Sequence, residues 1–132
     1  MVHWNKSYKY GKAQEERILP IIKEYFGRDI TATEGQYAKY DYIDPVYNYE
    51  LKSRTNKMDA YPTTMITCNK LMDTSKTLTL IFNYTDCLAF IVYDADKFSK
   101  YTTASFSRLG CCWDEKEHIY IPVEHLSLIK KY

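Results

Sequence analysis

Two carboxylates and an ammonium stand out by type and spacing: Asp41, Glu50 and Lys52. They lie in residues 40–54, where two runs rich in tyrosine and β-branched residues flank Asp44-Pro45, a turn-starting dipeptide. The pattern predicts two strands joined by a turn. Side chains alternate along a strand, so Glu50, Lys52 and Arg54 share one face, and Tyr49, Leu51 and Ser53 take the other. A symmetric turn centred between Pro45 and Val46 sets Asp41 directly opposite Glu50. Opposed side chains have Cβ atoms roughly 4.5–5.5 Å apart, and like charges there are destabilising. A cation between the two carboxylates removes that repulsion. Lys52, two residues on and on the same face, completes a set of two metal ligands and one ammonium.

Asp41, eight residues, then Glu50-Leu51-Lys52 resembles the signature of the PD-(D/E)xK nuclease superfamily, the restriction-endonuclease-like fold. Its placement on a hairpin, a glutamate-bearing helix before it and a lysine-containing helical segment after it add to the resemblance. Tyr40 stands where the family name has proline. The stretch Gly11-Lys12-Ala13-Gln14-Glu15-Glu16-Arg17-Ile18-Leu19 resembles the first helix of archaeal-type Holliday-junction resolvases. There a glycine lies a few residues ahead of a metal-site glutamate, with apolar residues three and four later. Carried over by position, Glu15 is the match and Glu16 the alternative.

The resemblance implies an α/β chain: a single-domain restriction-endonuclease-like core, with a mixed β-sheet flanked by helices. It implies a magnesium- or manganese-dependent endonuclease that hydrolyses DNA phosphodiester bonds and selects branched or duplex structure. Asp41, Glu50, Glu15 and the backbone carbonyl of Leu51 would hold the metal, and Lys52 would orient the attacking water. Arg54, Lys57 and Lys70 would contact the phosphate backbone. A homodimer is expected by analogy, because cutting two strands needs two sites; no organic cofactor is expected. Two other readings stay open: an RNA endonuclease on the same fold, and a non-catalytic nucleic-acid-binding module.

The elements that must position these residues follow from periodicity. Ile18, Leu19, Ile22 and Phe26 fall on one face of a helix spanning Ser7 to Phe26, with Glu15 at the N-terminal end of that face. Pro20 interrupts it and Gly27 is a natural stop. Asp29–Glu34 and Tyr37–Ile43 read as strands, and Thr55–Tyr61 as a polar loop. Pro62 is well placed to begin a helix through Thr64, Met65, Cys68, Leu71 and Met72, with Lys70 on its other side. Thr77–Tyr84 alternates as a strand, and Leu88–Tyr93 reads as a buried central strand. A short strand is expected within Phe98–Phe106 and a final strand at His118–Val123. The tail from Glu124 to Ile129 is read as a short helical turn.

The chain has 132 residues, 45% of them hydrophobic, which is enough for one domain with a proper core. Net charge is +1, but residues 52–76 hold five cations against two acids, and residues 1–12 hold three lysines against none. Such clusters attract a phosphate backbone, and equally suit a solvated surface. Fourteen tyrosines against four glycines suggest the composition of a viral or AT-rich genome. The four cysteines make no C-x-x-C and read as reduced thiols. A zinc site of Cys111, Cys112, His118 and His125 fits no standard spacing. Neither a membrane span nor a signal-peptide core is visible, so an intracellular location is expected, the host-cell interior included.

Overall fold

The computed structural model describes residues 2–34, 38–71, 75–107 and 115–132. Helix α1 runs from Val2 to Phe26, five residues earlier than periodicity suggested, and ends at Gly27 with φ 62°. That left-handed backbone favours glycine. Pro20 stays inside the helix, on its exposed side. The carbonyl it leaves without a partner belongs to Glu16, also exposed, so water can satisfy it. Ile18 and Ile22 are fully buried, as the apolar stripe required.

The chain is mixed α/β. A six-stranded sheet has the order β1-β2-β3-β5-β6-β9, where β1 is Thr31–Ala32, β2 Tyr42–Ile43, β3 Tyr47–Ser53, β5 Thr77–Asn83, β6 Cys87–Val92 and β9 Ser127–Lys131. The pair β3/β5 is parallel and all others are antiparallel. A second, three-stranded antiparallel sheet has the order β4-β8-β7, from Thr63–Thr67, Glu115–Pro122 and Thr103–Ser107. A four-residue helix α2, Ala95–Phe98, is capped by the Asp94 side chain. Among the described residues, no helix is long and apolar enough to cross a membrane.

The larger sheet buries both faces. Tyr42, Tyr49, Leu51, Ile81 and Leu88 pack against Ile18 and Ile22 of α1. Leu78, Leu80, Phe82, Ala89 and Ile91 pack against Ile66, Ile119 and Ile121 of the smaller sheet. The expected flanking by helices therefore holds on one face only; a second sheet covers the other.

The expected helix from Pro62 is instead strand β4 followed by a 3-10 turn at Cys68–Leu71. Thr63, Thr64, Ile66 and Thr67 are β-branched and stiff at χ1, which suits a strand. Thr64 and Ile66 are buried while Met65 is exposed, an alternation with period two. Parallel strands need a long crossover, usually a helix; here β4 and its turn make the crossover from β3 to β5. Met72 lies outside the described residues. The tail also differs: a 3-10 turn at Val123–His125 leads into β9, which pairs with β6, so the strand at His118–Val123 is not the last. The expected strands at 29–34 and 37–43 shorten to two residues each, and Phe98 belongs to α2. The strands read at Thr77–Tyr84 and Leu88–Tyr93 are β5 and β6 within a residue or two.

One buried carboxylate fixes the β2–β3 turn. Asp44 is 4% exposed. Its Oδ1 accepts from the N–H groups of Val46 and Tyr47 at 2.7 Å each, and its Oδ2 from the Tyr49 hydroxyl at 2.5 Å and Arg28 Nε at 2.6 Å. Burial alone would raise this carboxyl, but the Arg28, Tyr49, Tyr47 and Val46 donors outweigh it and hold the group well below the usual carboxylate range. Its folded pKa is thus depressed, so its contribution to stability is present above the unfolded value of about 3.9 and is lost as pH falls below it. Asp44→Ala leaves a buried hydroxyl and two N–H groups without their acceptor. We expect thermal or urea unfolding at neutral pH to show a loss of at least about 2 kcal/mol. That loss should shrink as the pH is lowered past 4.

Candidate functional site

The register brings the acids close but not into simple opposition. Tyr42 pairs with Tyr49 and Ile43 with Asn48, and the ladder ends there; one residue before, the Asp41 N–H goes to the Tyr49 carbonyl at 3.0 Å, so Asp41 sits at an irregularity beside Glu50. Glu50 pairs with Leu80 and Lys52 with Phe82, so both side chains lie on the face covered by the smaller sheet. Asp41 Oδ2 accepts from the Leu51 N–H at 2.8 Å. A strand residue sends its N–H and C=O to the same side, so the Leu51 carbonyl points toward Asp41 as well.

Glu15 reaches the same corner from the opposite face. The fully buried Tyr42 donates its hydroxyl to the Glu15 carbonyl at 2.6 Å, which ties α1 to the end of β2. Glu16 is exposed and turned away. Burial raises the Glu15 carboxyl, a hydrogen bond and repulsion from Asp41 raise it further, and Lys12 at 3.4 Å partly offsets this. A buried polar network also holds the helix: Asn83 Nδ2 donates to Gln14 Oε1 at 2.9 Å and to Ser53 Oγ at 3.2 Å.

Glu50 is only 3% exposed. Burial raises its carboxyl and Asp41 adds to that; Lys52 and Lys70 pull in the other direction. Their ammonium groups lie 3.1 and 3.5 Å from Glu50 Oε2. Lys70 arrives on the 3-10 turn after β4, not on a helix. That turn docks reciprocally: Lys70 Nζ donates to the Lys39 carbonyl at 2.8 Å, and the Tyr40 hydroxyl donates to the Lys70 carbonyl at 2.7 Å. Lys57 is exposed in the loop after β3 and has no bond to these carboxylates. Arg54 points away from the acids: its Nη2 donates to the Met65 carbonyl at 2.5 Å and to Thr64 Oγ1 at 3.3 Å.

Three carboxylates and three lysines therefore meet at one corner of the sheet. The oxygen donors are of the type a hard divalent cation takes. Among the described residues, no three His, Cys, Asp or Glu side chains are arranged as a ready cation cage. Here Lys52 and Lys70 supply the counter-charge for Glu50. The donors are thus of the type magnesium or manganese takes, while the described side chains pair with ammonium groups and do not form a cage.

The zinc reading gains nothing. Cys111 and Cys112 lie outside the described residues, and His125 Nδ1 is 2.7 Å from the Tyr101 hydroxyl. Among the described residues Cys68 and Cys87 are free thiols; burial and the neighbouring Asp86 push Cys87 up to about 11. Sequence reasoning missed Lys12, whose i,i+3 spacing to Glu15 was the available signal. It missed Tyr42 and Asn83, for which the sequence carries no signal.

No protein-family model matches the chain, no curated protein matches its sequence and no solved structure matches its fold.

A raised carboxyl makes a forecast for stability. The folded pKa of Glu50 lies above its unfolded value, so its charge works against folding as pH rises through that interval and beyond. Glu50→Gln removes the charge and keeps the shape. Thermal melts without metal should give the variant an unchanged or higher Tm at pH 7, and less decline in stability between pH 4 and 7 than the parent. A clear loss of stability at pH 7 would mean that the Lys52 and Lys70 pairs outweigh the desolvation.

Proposed function

We propose that the chain is a metal-dependent endonuclease that hydrolyses DNA phosphodiester bonds, selects branched or duplex structures, and has a restriction-endonuclease-like core. The observation that carries this reading is the meeting of Asp41 and Glu50 at the end of a two-residue strand: Asp41 Oδ2 accepts from the Leu51 N–H at 2.8 Å, its charge raises the Glu50 carboxyl, and Lys52 Nζ lies 3.1 Å from Glu50 Oε2. The approach of Glu15 to Asp41 from the helix adds a third acid.

Asp41 and Glu50, with Glu15 and the Leu51 carbonyl, would hold a magnesium or manganese ion. Such an ion, when bound, supplies Lewis acidity at the phosphate and a water of lowered pKa. The chain's own residues do the rest. Lys52 holds a positive charge beside the carboxylates, where it orients the attacking water and stabilises charge developing on phosphorus. Glu50 is desolvated, which strengthens every interaction it makes. Lys70 and Arg54 position the backbone, and Lys57 adds an exposed charge on the approach. A homodimer would supply the second cut. RNA is the alternative substrate on the same site. The alternative of a non-catalytic nucleic-acid-binding module draws on one specific observation, the neutralisation of Glu50 by two lysines.

A gel assay of linear, branched and single-stranded DNA and RNA, with magnesium and with manganese, tests the reading. We expect manganese to raise the Tm of the parent protein by mass action, and that of Glu50→Gln much less. Glu50→Gln should lose cleavage. Lys52→Ala should still bind metal yet fail to cut. Full magnesium-dependent cleavage by purified Glu50→Gln would sink the assignment. Neutralising Lys70 should reduce the slope of log K against log salt by about one unit; an unchanged slope would remove Lys70 from the interface.

A further inference from the structure

Beyond the end of β3, a cavity of about 420 Å³ opens between the loop after β3, strand β4 and the turn at Val123. Its size falls within the range of small-ligand pockets, roughly 300–1,000 Å³. Its walls are tied down by backbone bonds: Arg54 N–H to the Asn83 carbonyl at 2.7 Å, Thr85 N–H to the Asn56 carbonyl at 3.1 Å, and Val123 N–H to the Pro62 carbonyl at 3.0 Å. The space is part of the fold.

One lining group, the Tyr84 hydroxyl, lacks the partner that burial demands, and another, Arg54, keeps donors to spare. Arg54 is half-buried, and no carboxylate among the described residues pairs with it; its hydrogen bonds go from Nη2 to Thr64 and Met65. An arginine has five N–H donors, so Nε and Nη1 keep their capacity. Burial lowers its pKa, and its guanidinium lies 5.8 Å from the centre of the Phe82 ring. Tyr84 is 3% exposed and its hydroxyl makes no hydrogen bond to any described residue; Thr64 is a neighbour but not in bonding geometry. Buried polar groups without partners are uncommon and ask for an explanation. Around them the lining is aromatic, with Tyr120 and Tyr61, the latter 63% exposed at the rim. Asn56 adds an amide able to both donate and accept.

We propose that this cavity is a nucleotide subsite, in which Arg54 takes the phosphate, Tyr61 stacks on the base and Asn56 meets the base edge. A cation with donors to spare, beside exposed aromatic faces and an amide, matches a phosphate joined to an unstacked ring. Its place fits as well. Arg54 follows Lys52 on the same face of the chain, roughly 7 Å on, a span that one or two nucleotides of a strand cover. The placement of a strand rests on the nuclease reading; the chemistry of the ligand does not. The subsite would hold a base that is unpaired, and so selects a frayed or single-stranded segment beside the cut.

The test titrates the full chain in EDTA, where nothing is cut, with adenosine monophosphate, adenosine, inorganic phosphate and a single-stranded DNA oligonucleotide carrying 2-aminopurine. The monophosphate should bind more tightly than adenosine or phosphate, and the 2-aminopurine signal should change on binding. Arg54→Met should abolish the advantage of the monophosphate over adenosine. Tyr61→Ala, at an exposed rim where folding is not at stake, should weaken the oligonucleotide about tenfold. Equal binding of oligonucleotide and monophosphate by parent, Arg54→Met and Tyr61→Ala overturns the subsite, and so does the absence of any binding. Magnesium-dependent cleavage with insensitive pocket variants defeats the subsite alone. Monophosphate binding lost in Arg54→Met, by a chain that cuts no nucleic acid, defeats the nuclease reading alone.

Discussion

The architecture depends on the register of one tight hairpin, and the buried Asp44 carboxylate sets that register. It gathers two backbone N–H groups of its own turn, a tyrosine hydroxyl from β3 and a guanidinium from the end of the helix segment. The Lys76 ammonium binds its backbone carbonyl at 2.8 Å, so the start of β5 is tied to the same point. A slip of one residue would turn every β3 side chain to the other face. Tyr49 would then leave α1, and Glu50 would leave Asp41. The clamp and the candidate site are two ends of one seven-residue strand.

From that register the two halves of the core follow. Tyr42 and Tyr49 face the helix, and Tyr42 uses its hydroxyl to hold the Glu15 carbonyl. Glu50 and Lys52 face the other side, where the crossover between parallel strands must pass. Because that crossover is a strand and a 3-10 turn, it can pair with β8 and still deliver Lys70 to Glu50. The reciprocal bonds between Lys70, Lys39 and Tyr40 fasten that turn to the residues just before β2.

The hairpin was legible because its signals are local: Asp-Pro turn chemistry and a period of two over four residues on either side. Helix α1 was legible from Ile18, Ile22 and Gly27 for the same reason. The segment from Pro62 was not. Pro62 suits the first turn of a helix, and Met65, Cys68 and Met72 repeat at helical spacing, so two local signals agreed on the wrong answer. What decided it is the pairing of Thr63–Thr67 with His118–Pro122, more than fifty residues away, to which a local window is blind. Tertiary context overrides local preference in this way as a matter of course. The same limit hid the partners of the site. Asp41, Glu50 and Lys52 could be found by spacing on one hairpin, and Lys70 was named although its element was misread, whereas Tyr42 and Asn83 take their parts only through the fold.

The distribution of charge along β3 gives the surface a direction. At Glu50 a desolvated carboxylate faces a second acid and is answered by two ammonium groups. Four residues on, roughly 13 Å along an extended chain, the Arg54 guanidinium is half-buried with hydroxyl and carbonyl acceptors but no acid. One end therefore gathers acids that ammonium groups already balance, and the other a guanidinium held by neutral acceptors. The acid end is answered partly from outside the strand, by Lys70 on the turn after β4, and the guanidinium end by Thr64 and Met65 of β4 itself, so one crossover segment balances both ends of β3.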